Sequence, residues 1–169
     1  MDGSSEAATA DATPGAGAPP GAPALIVLGM IEHALALAAT WPAWDGRPIQ
    51  VGDRLFTPHK AVRRIADHCL DHLAEMEDRL AGRTPLPDRW HGSAVLTPAD
   101  LAPFTGDDLD EARSRLTRIG RIWADRIGAL DEELLDRSPG EGWSFRDLAV
   151  HLGSTYYADS VGDLHDPAR

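Results

Sequence analysis

From Ala24 onward the chain is built of apolar residues that return every three or four positions, punctuated by short runs of Pro, Gly and Asp. That period belongs to helices with one buried face. The first predicted helix runs from Ala24 to Ala39 and stops before Trp41-Pro42, because the residue preceding a proline avoids helical dihedrals. The second opens at Thr57-Pro58, an N-cap followed by proline at the first helical position. Its stripe is Val62, Ile65, Cys69, Leu73, Met76 and Leu80, it reaches Ala81, and Gly82 supplies the stop. The third covers Asp107 to Leu135, with Asp107, Asp108, Asp110 and Glu111 near the positive end of its dipole and Leu109, Leu116, Ile119, Trp123, Ile127 and Leu130 facing inward. Ser138-Pro139-Gly140-Glu141-Gly142 breaks the pattern, and Ser144 with Asp147 reads as a capping box that starts a fourth helix reaching Val161. No stretch sustains the period-two alternation of a strand. The expected fold is all-α, an antiparallel four-helix bundle.

The segments between and around these helices have their own character. Met1–Pro23 is Ala, Gly, Pro and Ser with acidic residues and almost no large apolar side chain, so it is predicted to be disordered. The bundle domain then spans 24–163, and 164–169 is expected to fray. Asp45-Gly46 and Val51-Gly52-Asp53 mark a loop after the first helix. A long connection from Arg83 to Gly106 carries Pro85, Pro87, Pro98 and Pro103 and the pair Trp90-His91, which is placed to cover a groove. Connections of that length usually have a function in a compact domain.

Composition narrows the partners. The chain has 169 residues, enough for one domain with a real core. Its formal net charge of -11 repels phosphate backbones and anionic membranes, so neither nucleic acid nor membrane is an expected partner. Cys69 is the one cysteine, which excludes an internal disulfide and multi-cysteine zinc sites and points to a reducing, cytoplasmic setting. Leu25 to Ala39 is apolar but interrupted by Glu32 and His33, too short a run to span a bilayer, and no basic region precedes it as in a signal peptide. Lys60 stands alone against fifteen arginines, and with the abundant alanine this reads as a high-GC coding bias of the actinobacterial kind.

Chemistry enters through the histidines: His33, His59, His68, His72, His91, His151 and His165. His68 and His72 are four apart, so their rings leave one helix face about one turn apart, a relation in which two imidazoles can bind one ion. Both flank the apolar stripe, as His151 flanks Phe145, Leu148 and Leu152, and such positions lie at the mouth of an inter-helix groove. The alternative is that each imidazole simply bonds to a neighbour beside the core. Asp71 and Glu75 are close enough in sequence to orient a ligand or to be exposed helix carboxylates. His33 is a fourth candidate ligand. Cys69, on the core stripe, reads as packing, and Trp143 as a lock on the turn before the fourth helix. Tyr156 and Tyr157 read as core or rim with hydroxyls to offer a substrate, and Arg146 as a solvated residue or a partner for a substrate carboxylate. There is no phosphate loop, dinucleotide fingerprint, Gly-x-Ser-x-Gly elbow or His-Glu-x-x-His pair.

The wording around these residues resembles a known family. Trp143-Ser144-Phe145-Arg146-Asp147-Leu148-Ala149-Val150-His151-Leu152 is similar to a motif of the DinB/YfiT-like superfamily of metal-binding four-helix bundles, in which a Trp-Ser pair opens a helix and a histidine two turns on binds metal. Leu130-Asp131-Glu132-Glu133-Leu134-Leu135 looks like the helix end that precedes it. Ala66-Asp67-His68-Cys69-Leu70-Asp71-His72-Leu73 matches the family's paired ligands, and the likeness covers about 57–162. In the usual family order the Trp-Ser helix comes first, so here the helix pairs would be exchanged, as in a circular permutation. The resemblance implies His68, His72 and His151 as ligands of one nickel or zinc ion with open coordination positions. It further implies a small-molecule substrate and a thiol co-substrate of the mycothiol type, in transfer or isomerisation, or hydrolysis by metal hydroxide. A non-catalytic metal- or ligand-binding bundle is the other reading, and homodimerisation through helix faces suits this class.

Overall fold

The computed structural model describes residues 21–89 and 91–167. Most of the expected disordered segment Met1–Pro23 therefore lies outside the described residues, as does Trp90. The chain is mostly helical. Helix α1 (Ala22–Ala38) is followed by a short hairpin, β1 (Ile49–Val51) and β2 (Arg54–Phe56), and then by α2 (Pro58–Leu80). The later helices are α3 (His91–Ala94), α4 (Gly106–Gly128), α5 (Glu132–Asp136), α6 (Phe145–Gly153) and α7 (Tyr157–Val161).

The caps read from sequence are formed. Thr57 accepts from the Lys60 amide at 3.2 Å at the start of α2. Ser144 accepts from the Asp147 amide at 3.1 Å and donates to the Asp147 carboxylate at 2.6 Å at the start of α6. Three boundaries differ from expectation. The third helix stops at Gly128, because Asp131 captures the Leu134 amide at 2.8 Å and starts α5 separately. The fourth breaks after Gly153, where the His151 carbonyl accepts from both the Ser154 amide, at 3.1 Å, and its hydroxyl, at 2.7 Å, closing the last turn tightly, and α7 begins afresh at Tyr157. The loop after α1 contains the antiparallel hairpin, registered Ile49↔Phe56 and Val51↔Arg54 around Gly52, whose φ of 61° is left-handed. Strands of three residues are too short to display an alternation.

Packing closes one core. Helix α1 lies against α4 and α6, and α2 lies against α4, α6 and α7. Trp41, Phe56, Ile65, Met76, Leu116, Trp123, Ile127, Leu148 and Leu152 are fully buried between them. Trp123 donates its indole N–H to the Cys69 carbonyl at 2.9 Å, tying α4 to the middle of α2. By length and composition the stretch Ala22–Ala43, α1 with the turn after it, qualifies as a candidate membrane span, where too short a run was expected. Here Val27, Met30, Ile31 and Ala34 are buried against its neighbours.

The long connection is anchored at its C-terminal end by Phe104, buried against Trp41, and before that by charge. Lys60, buried in α2, donates to the Leu55 and Ala94 carbonyls at 2.7 and 3.0 Å. Arg63 donates to the Gly92 and Val95 carbonyls at 2.6 and 3.0 Å and meets the buried Asp100 carboxylate at 2.6 Å. Asp100 also accepts from the Thr97 amide and hydroxyl, at 2.7 and 2.9 Å. Burial pushes the Lys60 ammonium below its usual range. At the other end, where fraying was expected, Trp41 donates to the Gly162 carbonyl at 2.9 Å and the Leu164 amide to Thr40 at 3.0 Å.

Candidate metal centre

Helical geometry puts His68 and His72 one above the other on α2. The docking of α6 on α2 brings His151 to them. His68 Nε2 lies 2.9 Å from His151 Nε2 and 3.1 Å from His72 Nε2. The ligand atoms of all three lie within 4.8 Å of one another, and among the described residues no other group of His, Cys, Asp or Glu side chains converges in this way. All three are half-buried.

The outer nitrogens decide what the inner ones offer. His72 Nδ1 is 3.0 Å from Glu75 Oε2, so the ring donates its Nδ1–H to the carboxylate and turns an Nε2 lone pair inward. Glu75 is itself held by Arg79, 3.3 Å away. Arg79 also donates to the Trp143 carbonyl at 2.9 Å and lies over the Phe145 ring. His72, Glu75 and Arg79 thus connect α2 to the start of α6. Thr155 Oγ1 approaches His68 Nδ1 at 3.4 Å from the break after α6. Burial, reinforced by its two histidine neighbours, lowers His68 to about 4, and burial lowers His151 as well. At neutral pH both imidazoles keep the lone pairs that a metal requires.

Three nitrogen donors within 4.8 Å of one another, with the His72 lone pair turned inward by Glu75, fit a divalent ion at the usual His–metal distance of about 2.0–2.1 Å. The rim is aromatic and cationic. Trp143 packs against His151 with ring centroids 4.2 Å apart and the planes tilted by 44°, and nearly half of its surface remains open to solvent. Tyr157 is buried with its ring 5.8 Å from His68. Beside Glu75, a cavity of about 460 Å³ opens between α2 and the strap Pro85–Pro87, lined by Leu70, Ala74 and Leu86 and by the charged Asp71, Asp78 and Arg89.

The other sequence candidates fall elsewhere. Glu75, not Asp71, orients a ligand; Asp71 is raised by burial and by the facing Asp88 carboxylate. His33 pairs with Asp159 at 2.7 Å on the surface, and His59 packs on Phe104. Arg146 is engaged by Glu132 and Asp136 of α5 and does not face the histidines. Cys69 is fully buried, and its thiol is pushed up to about 12. Reading along the chain missed Thr155, Arg79 and Arg64. The last two carried a signal, since Arg64, His68 and His72 step by four along α2 and Arg79 follows Glu75 by four. No family model, curated protein or solved structure matches this chain.

Proposed function

We propose that the chain is a metal-dependent enzyme of the DinB-like kind, a four-helix bundle with its helix pairs in exchanged order, acting in the cytoplasm on a small molecule rather than on nucleic acid or membrane. The observation that carries this reading is the convergence of three histidine ligand atoms within 4.8 Å of one another, with His68 Nε2 close to both His72 and His151 and His72 turned by Glu75. His68, His72 and His151 would hold nickel or zinc and leave coordination positions on the open side. The ion would supply Lewis acidity, lowering the pKa of a thiol or of water bound there. Glu75 fixes the ring orientation, Trp143 packs against His151, and the cavity under Pro85–Pro87 offers room for a small molecule between apolar and charged side chains. Transfer or isomerisation with a mycothiol-type thiol is the reaction favoured by the family resemblance, and hydrolysis is its variant.

A non-catalytic metal site is the second reading, and the His72–Glu75–Arg79–Trp143 link favours it, because an ion at that joint would brace α2 against α6. Metal analysis of untagged protein tests both. Near-stoichiometric nickel or zinc is expected in the parent, with loss in both His68→Ala and His151→Ala. Metal-free parent protein after reconstitution would end both readings. Full occupancy with no turnover across thiols and electrophiles would leave the bracing role.

A further inference from the structure

The formal net charge of the chain is -11, yet one of its cavities is walled by cations. It has a volume of about 320 Å³ and opens where the end of α2 meets α5 and the start of α6. Arg79, Arg83 and Arg137 line it, and no Asp or Glu is among the described residues of its wall.

Each of these arginines has a partner, and each partner is local. Arg79 Nη1 meets Glu75 at 3.3 Å, Arg83 Nε meets Asp78 at 2.7 Å, and Arg137 Nη2 meets Glu133 at 2.9 Å. Every pair therefore closes within its own segment of chain, α2 for the first two and α5 for the third. Ion pairs of this kind at the surface contribute little, and Arg83 and Arg137 are 62% and 61% exposed. Local pairing accounts for the charge on each helix end. It does not account for two such ends turned toward one cavity, which no ion pair crosses among the described residues.

Arg79 is the fixed member. Its guanidinium lies 4.2 Å over the buried Phe145 ring, and its side chain is 15% exposed. Its bonds to Glu75 and to the Trp143 carbonyl both use Nη1, so the Nε and Nη2 N–H groups make a second donor edge. A guanidinium held by stacking presents two parallel donors, the geometry that suits an oxyanion. Ser138 adds a hydroxyl whose oxygen accepts from the Gly140 amide at 3.2 Å, and its O–H is a further donor. Leu134 and Phe145 give the cavity an apolar side.

We propose that this cavity binds a small organic oxyanion, a phosphate monoester or a carboxylate on an apolar body, between Arg79, Arg83 and Arg137. The site does not rest on the metal reading.

The test titrates full-length protein by calorimetry, at about 0.15 M salt, with phenyl phosphate, benzoate and neutral benzyl alcohol. At least one of the two anions should bind saturably at one site per chain, and benzyl alcohol should not. The tighter anion tells phosphate from carboxylate. Arg83→Gln and Arg137→Gln should each weaken it about tenfold. Arg83→Lys and Arg137→Lys, which keep the charge without the fork, should retain part of the affinity and decide the matter if either glutamine variant loses its helical circular dichroism. Arg113→Gln removes a half-exposed, paired arginine from α4 and should leave binding unchanged. The site is overturned if neither anion saturates at millimolar concentration, if benzyl alcohol binds as well as the anions, or if Arg113→Gln costs as much as Arg83→Gln.

Discussion

At the scale of single residues, His72 is defined by what its outer nitrogen meets. Glu75 accepts from His72, and Arg79 holds Glu75. Such orienting carboxylates typically contribute about 10–100-fold in metal affinity. Glu75→Ala should therefore weaken metal binding by about that factor in a chelator competition, with the helical circular dichroism retained. Unchanged affinity would reduce Glu75 to a surface ion pair. Sequence placed Glu75 beside the histidine pair but left its role open between orienting group and exposed carboxylate, because a side chain three positions along a helix reaches its neighbour only in one of several rotamers. Cys69 was legible as a core residue. It lies one position from His68, about 100° around the helix, and that rotation turns it into the core instead of toward the ligands.

At the scale of elements, helix starts were readable and helix ends less so. Thr57, Ser144 and their partners are local signals whose chemistry is complete within four residues. The breaks at Gly128 and Gly153 contain no proline, and the apolar period runs on through both. The connection 83–105 shows the same division. Its prolines announce an irregular segment, but its attachment depends on Lys60 and Arg63, more than thirty residues from Val95 and Asp100 in the case of Arg63. Removing Arg63 would strand the Asp100 carboxylate, whose side chain is 3% exposed. Arg63→Ala should cost about 3 kcal/mol in urea unfolding and open the connection to proteolysis between Arg83 and Thr105. The pH dependence has a defined sign. Burial raises Asp100, but bonds from Arg63 and Thr97 outweigh it, so the folded carboxyl titrates below its ordinary 3.8. Its contribution is complete above that pH and is lost as pH falls through the lower folded value, so the gap between parent and Arg63→Ala should narrow in acid.

At the scale of the whole molecule, the site exists because α6 lies close against both α1 and α2. The approach to α1 is tight at Gly153, where an added Cβ would come within 2.3 Å of Ile26 Cγ2. Gly153→Ala should destabilise the fold by about 1–3 kcal/mol. Ile26→Ala, at a half-exposed position, should relieve much of that loss in a double-mutant cycle read by denaturant unfolding. Simple additivity of the two changes would mean that α1 and α6 do not contact at this point.

What the sequence determined alone is local. The i to i+4 ladder of α2 makes His68 and His72 neighbours whatever else the chain does, and the capping chemistry of Ser144 starts the helix that carries His151. His151 itself entered through a family resemblance, since no spacing rule relates it to a residue 83 positions away. Which histidine completes the cluster, and that Thr155 and Tyr157 line its edge, were decided by tertiary structure. The physical reason is that helix docking is set by many weak, non-directional contacts summed over whole faces, and a linear pattern specifies each face without specifying the rotation at which two faces meet.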